Sequence, residues 1–91
     1  MHTSRNITVT GYVQGVGFRY ACLHHAQTLG VSGWVRNAGD GSVEIHAEGT
    51  DDALDALVAW CHDGPPGARV QEVRVNPSAV SMSKGVFEIR I

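Results

Sequence analysis

The sequence contains no cluster of basic residues. Its seven Lys and Arg residues are spread from Arg5 to Arg90, and nine Asp and Glu residues outnumber them, so the formal net charge is −2. Tight non-specific binding to nucleic acid depends on many closely spaced cations that neutralise phosphates. The composition therefore argues against a nucleic-acid partner, although a single Arg in a dry site can still bind a small anion.

Apolar runs of membrane-spanning length are also missing. Residues 1–6 are polar and lack the hydrophobic centre of a secretion signal, and no stretch of the chain approaches the roughly 20 apolar residues of a spanning helix. We therefore expect a cytoplasmic protein without membrane association. Its 91 residues, 43% apolar and 18% charged, fit one globular domain over residues 1–91.

Cysteine is scarce, since only Cys22 and Cys61 are present, and two are too few for a disulfide scaffold. Cys22 falls near the start of the first predicted helix and Cys61 near the end of the second. Antiparallel helices would bring these ends together, so a disulfide is geometrically conceivable. A reducing cytoplasm favours the alternative, in which both residues are free thiols packed in the core.

No group of His, Cys or acidic residues has the spacing of a zinc site. His24 and His25 are adjacent, so on a helix they point to different sides instead of forming a pair one turn apart. We expect neither a metal nor an organic cofactor. A covalent phosphocysteine route is also disfavoured, because residues 13–18 contain no Cys and Cys22 lies beyond Arg19.

Hydrophobic periodicity predicts an α+β fold. Alternating apolar residues are typical of half-buried strands, and apolar residues three or four positions apart are typical of helices. The predicted strands cover 7–13, 33–37, 42–48, 70–75 and 87–91, the predicted helices cover 20–29 and 51–63, and 76–85 is predicted as a loop. This β-α-β-β-α-β order with a terminal strand predicts a two-layer sandwich, with both helices on one face of a mainly antiparallel sheet.

Several local features refine this prediction. Thr50 is suited to cap the second helix. The apolar parity changes between Val70 and Val73, which predicts a bulge or a late start in the fourth strand. His46 is expected on the polar face of the third strand, and Ile91 on the apolar face of the last strand.

The predicted topology brings two distant segments to one rim of the sheet. A right-handed crossover through the first helix makes the first two strands parallel, so their carboxyl ends lie at the same edge. The loop 14–19 follows the first strand, and Asn37 ends the second. The first helix also begins at this rim, so its free N–H groups and positive pole point there.

This rim is suited to bind an anion. Gly15 and Gly17 allow positive φ and a close backbone approach, so consecutive N–H groups can surround phosphate oxygens. Arg19 adds a planar guanidinium that pairs with two oxygens and stays charged. A plain strand-to-helix turn with a surface arginine would explain the same short pattern, so spacing alone leaves both interpretations open.

Two longer motifs resemble the signatures of the acylphosphatase family. The first, at 11–19, reads GYVQGVGFR; the second reads GWVRN at 33–37, followed by DGSVE at 40–44. The resemblance extends over essentially the whole chain from Ile7. One position departs from it, because the place of Tyr12 is more often basic in the family.

The resemblance implies a ferredoxin-like βαββαβ fold and a metal-free hydrolysis of acyl phosphates to carboxylate and phosphate. It assigns the catalytic roles to Arg19 and Asn37. It also implies a phosphate cradle formed by Gln14, Gly15, Val16, Gly17, Phe18 and Arg19. The expected partner is a small acyl phosphate, inorganic phosphate or sulfate is expected to occupy the same site, and the protein is expected to be a monomer.

Two non-catalytic functions are alternatives to this assignment. RNA-recognition modules share the βαββαβ order, but their glycine–aromatic motif lies on the third strand. Here the similar motif precedes the first helix, and the third strand at 42–48 has two Glu and no aromatic residue to stack a base. A regulatory small-molecule-binding module of the same fold would not need the pair of Arg19 and Asn37.

Overall fold

The predicted element order is confirmed in the computed structural model, which describes residues 2–78 and 85–91. Five strands form one sheet, and two helices pack against it and against each other. The elements are β1 (His2–Tyr12), α1 (Phe18–Leu29), β2 (Ser32–Asn37), β3 (Val43–Thr50), α2 (Asp51–Asp63), β4 (Arg69–Ser78) and β5 (Phe87–Arg90). No helix in the described part of the chain is long and apolar enough to span a membrane.

The strand order in the sheet is β4-β1-β3-β2-β5. β3 lies between β1 and β2 and is antiparallel to both, so β1 and β2 run in the same direction. β5 adds to the far side of β2 as its parallel neighbour. The expected meeting of the ends of β1 and β2 at one edge is therefore confirmed.

The core lies between the sheet and the helices. Alternate residues of the central strands, among them Val9, Val35 and Ile45, are fully buried on the helix side. Leu54 and Leu57 of α2 fill the other side of this layer and are equally buried. Burying each such side chain contributes about 1.5–3 kcal/mol to the stability of the fold. Apolar residues therefore recur on the buried face, with a period of two in the strands and of three or four in the helices.

The bulge in β4 is also confirmed. In the pairing of β1 with β4 the register shifts between Thr10 and Gly11, which are opposite Glu72 and Val70. Gln71 is therefore an extra residue on β4 and reverses the parity of the side chains around it.

Two predictions near the C-terminus were wrong. Residues 76–78 continue β4 instead of starting a loop, and Pro77 pairs with Arg5. A proline is tolerated there because β4 is an edge strand, whose outer side needs no N–H donor. The remainder of the predicted loop, 79–84, lies outside the described residues. Ile91 follows the last strand and is fully exposed, not part of the apolar face.

His46 lies on the sheet face away from the helices, as expected, but it is buried. Trp34 of the neighbouring strand stacks on its ring with centroids 6.0 Å apart. Its two ring nitrogens lie 3.1 Å from Asn6 Oδ1 and 2.8 Å from Glu48 Oε2. The open face therefore includes a small, hydrogen-bonded polar cluster, which alternation alone did not predict.

Candidate active site

The N-terminus of α1 is open to a ligand. The helix follows Gly17, whose φ of 79° is left-handed, and no side chain caps it. Gly15 also has a positive φ, of 76°. By contrast, the Oγ1 of Thr50 accepts a hydrogen bond from the Ala53 N–H at the start of α2. The first turn of α1 thus retains backbone N–H groups that no side chain satisfies, next to the positive end of the helix dipole.

A cavity of about 130 Å³ lies at this helix terminus. Arg19 lines it from the first turn of α1, and Asn37 lines it from the last residue of β2. The other lining residues are Val13, Gly15, Gly17, Phe18 and Tyr20. Asn37 shares a sheet face with buried Val35, because side chains two positions apart point the same way. The rim therefore places Arg19 and Asn37 at the same small cavity.

Arg19 has no acidic partner in the described chain, since no carboxylate of residues 2–78 or 85–91 forms a salt bridge with it. Other arginines do pair with carboxylates, namely Arg5, Arg36, Arg74 and Arg90. An arginine that borders a cavity without a carboxylate partner keeps its planar donors available for an oxyanion.

Gln14 does not line this cavity, and its side chain is bonded to the turn that follows Asn37. Its Nε2 donates to the carbonyl oxygens of Ala38, at 2.8 Å, and of Ser42, at 3.0 Å. These two bonds fasten the loop after β1 to the turn between β2 and β3. The Gln14 side chain thus joins the segment before Arg19 to the segment after Asn37.

The turn is held from within as well. The N–H of Ala38 donates to the Ser42 carbonyl at 2.8 Å. The Ser42 hydroxyl and N–H both donate to Asp40 Oδ1, at 2.6 and 3.0 Å. Both bonds lower the pKa of Asp40, because they stabilise its ionised form, and the bond from the hydroxyl has the larger effect. The ionised carboxylate therefore helps to fix the turn next to Asn37.

Four of the six predicted cradle residues line the cavity. Gly15, Gly17, Phe18 and Arg19 line it, whereas Val16 packs against the hydrophobic core. The ring of Phe18 is buried and packs on Trp60, with centroids 5.1 Å apart.

Two lining residues, Val13 and Tyr20, were not predicted from the sequence. Tyr20 could have been found from its place directly after Arg19 at a helix N-terminus. Val13 could have been found as the last apolar residue before the glycine loop.

The two thiols lie in the hydrophobic core. Cys22 and Cys61 are free and fully buried. Burial raises the pKa of both, that of Cys61 to about 12, and the neighbouring Cys61 raises that of Cys22 further. Both are therefore neutral at physiological pH. Within residues 2–78 and 85–91, no group of three or more His, Cys, Asp or Glu is arranged to hold a metal ion.

The fold and the cavity define a class: a small ferredoxin-like α+β protein with an arginine-containing pocket at one sheet rim. The family model for acylphosphatase matches residues 5–89. The chain therefore belongs to the acylphosphatase family, whose members are hydrolases. Individual proteins agree with this assignment. An acylphosphatase from Anaeromyxobacter sp. (strain Fw109-5) is 51% identical over 85 residues, which is 93% of this chain and 91% of that protein.

Further relatives cover the chain to a similar extent. An acylphosphatase from Synechococcus sp. (strain CC9605) is 54% identical over 90% of this chain and 98% of its own length. The crystal structure of acylphosphatase from Bacillus subtilis superposes with a TM-score of 0.93 at 38% identity, covering 100% of both chains. The similarity therefore includes the whole fold, not an isolated motif.

Proposed function

We propose that this enzyme hydrolyses acyl phosphates by direct attack of water on phosphorus, without a metal ion. Arg19 and the backbone N–H groups of 14–19 bind the phosphoryl oxygens, and Asn37 positions the water. The observation that supports this most directly is the shared cavity. Arg19 and Asn37, from different elements, both border it at an uncapped helix N-terminus.

The chemistry of the substrate explains why so few groups suffice. The leaving group is a carboxylate whose conjugate acid has a pKa of roughly 4–5, so it departs without protonation. The remaining tasks are to position water and to stabilise charge on the equatorial oxygens. A guanidinium and fixed N–H donors accomplish the second task.

Asn37 is suited to the first task. Its amide oxygen accepts a hydrogen bond from water, and its NH₂ donates to the substrate. Since an amide is a poor base, a phosphoryl oxygen of the substrate takes the proton of the attacking water. The new bond joins the water oxygen to phosphorus, the bond from phosphorus to the acyl oxygen breaks, and carboxylate and inorganic phosphate are released.

Hydrolysis of benzoyl phosphate, followed by ultraviolet absorbance in the presence of a chelator, tests this proposal. Asn37→Ala is expected to lower kcat by about 10²–10³, the usual effect of removing a well-placed polar group from a transition state. Inhibition by inorganic phosphate is expected to stay near normal in this variant. Arg19→Gln is expected to lose both turnover and phosphate inhibition.

Matched controls come from exposed residues outside the cavity. Asn76→Ala and Arg74→Gln remove the same side-chain types from the edge strand β4 and should leave kcat unchanged. Near-normal turnover in Asn37→Ala would contradict the role of Asn37. Loss of wild-type activity on adding chelator would contradict the metal-free mechanism.

A further inference from the structure

The cavity at the N-terminus of α1 is smaller than the pockets that enclose drug-sized ligands. Its volume is about 130 Å³, whereas pockets that enclose drug-sized ligands measure roughly 300–1,000 Å³. If the phosphoryl group occupies the cavity beside Arg19, as the proposed function requires, a bulky acyl group such as benzoyl extends to the mouth. Residues at the mouth therefore determine which acyl groups are bound well.

Tyr20 is the aromatic residue at this mouth. It lines the cavity directly after Arg19 in the first turn of α1, yet it is 70% exposed. Phe18, the other aromatic residue of the lining, is buried against Trp60 and cannot offer its faces to a ligand. An exposed ring at the edge of this cavity can cover an acyl group that extends out of it.

We infer that Tyr20 is a specificity-determining residue that packs on the acyl group and favours aromatic or extended apolar acyl phosphates over acetyl phosphate. An aromatic pair gains stabilisation beyond simple area burial. A methyl group offers the ring much less surface. The inference rests on the proposed function, because it takes the phosphoryl group to be bound at Arg19.

The test compares kcat/KM for benzoyl phosphate and acetyl phosphate in four proteins: wild type, Tyr20→Ala, Tyr20→Phe and Tyr12→Ala. Tyr20→Ala should lower kcat/KM about three- to tenfold for benzoyl phosphate, which corresponds to the usual strength of an aromatic pair, and less than twofold for acetyl phosphate. Tyr20→Phe should behave like the wild type, because the ring and not the hydroxyl makes the contact. Phosphate inhibition should be unchanged in every variant.

Tyr12 is the matched residue, because it is 61% exposed but does not line the cavity. Tyr12→Ala should therefore leave the ratio of the two substrates as in the wild type. Equal losses on both substrates in Tyr20→Ala, or a change in the ratio in Tyr12→Ala alone, would overturn the inference. So would a loss in Tyr20→Phe as large as in Tyr20→Ala. A wild type inactive on both substrates would instead refute the proposed function.

Discussion

Gln14 offers the sharpest test of how the site is held together. Replacing it with alanine removes the two hydrogen bonds that its Nε2 donates to Ala38 and Ser42. A typical intramolecular hydrogen bond contributes about 0.5–1.5 kcal/mol net, so the two together contribute about 1–3 kcal/mol. Both carbonyls keep a backbone donor, from Gly41 at 3.3 Å and from Ala38 at 2.8 Å. Since neither carbonyl is left unsatisfied, we expect the lower half of this range, about 1–2 kcal/mol.

The loss of kcat should be larger than partial unfolding would cause, because a native domain with about 5–15 kcal/mol of stability stays folded after losing about 1–2 kcal/mol. The bonds of Gln14 connect the loop before Arg19 to the turn after Asn37, so their loss frees Asn37 relative to the bound phosphate. A tenfold loss of kcat corresponds to about 1.4 kcal/mol of transition-state stabilisation, a reasonable effect of such misplacement. Phosphate inhibition should change little, because Arg19 and the helix terminus are retained.

Gln14→Glu distinguishes the loss of the amide N–H donors from the loss of side-chain length. The carboxylate keeps the length of glutamine but cannot donate a hydrogen bond, and it would face two carbonyl oxygens. We therefore expect Gln14→Glu to be less stable and less active than Gln14→Ala.

The assay combines urea denaturation with kinetics measured well below Tm, since each kcal/mol shifts Tm by about 4–8 °C in a domain of this size. Gln27→Ala, at an exposed position of α1, is the matched control and should change neither quantity. If Gln14→Glu is as active as the wild type, or if Gln14→Ala loses stability while kcat is unchanged, Gln14 does not position Asn37 for catalysis.

Two further predictions follow from the titratable groups. Because Ser42 lowers the folded-state pKa of Asp40 below its unfolded value of about 3.9, the stabilisation by Asp40 is present above about pH 4 and is lost as the pH falls through the folded-state pKa. The difference in urea midpoint between wild type and Asp40→Asn should thus narrow from pH 7 to pH 3, and an equal difference at both pH values would contradict this. Cys22 and Cys61 are buried and have raised pKa values, so both should resist alkylation in the native protein. In denaturant without reductant, both thiols should react, and mass spectrometry should detect two labels per chain. The absence of labels under those conditions would indicate a disulfide.

Much of the fold could be predicted because its signals are local. The alternation around Val9 and Ile45 reports burial on one face of a strand, and Gly30 and Thr50 mark where helices end and begin. The right-handed crossover rule then predicts that β1 and β2 are parallel and end at the same edge of the sheet. The closeness of Arg19 and Asn37 could therefore be predicted from local sequence patterns and one topological rule.

The missed features depend on tertiary neighbours. Gln14 is a polar residue in a glycine loop, and nothing in that loop indicates that its amide reaches Ala38 and Ser42 across the rim. The burial of His46 requires Trp34 from the adjacent strand. In both cases the partner is chosen by strand order and register, which the pattern of a single segment does not contain.

The register of β3 sets the geometry of the site through one residue. Val43 lies opposite Val9 of β1 and also opposite Asn37 of β2, and it is fully buried. The positions at which β1 and β2 reach the rim are therefore fixed relative to each other by a shared partner, although these strands are not themselves neighbours. A slip of one residue in β3 would turn Val43 and Ile45 towards the open face and would expose the apolar row. The same hydrophobic burial that stabilises the sheet thus keeps Asn37 in register with the loop that leads to Arg19.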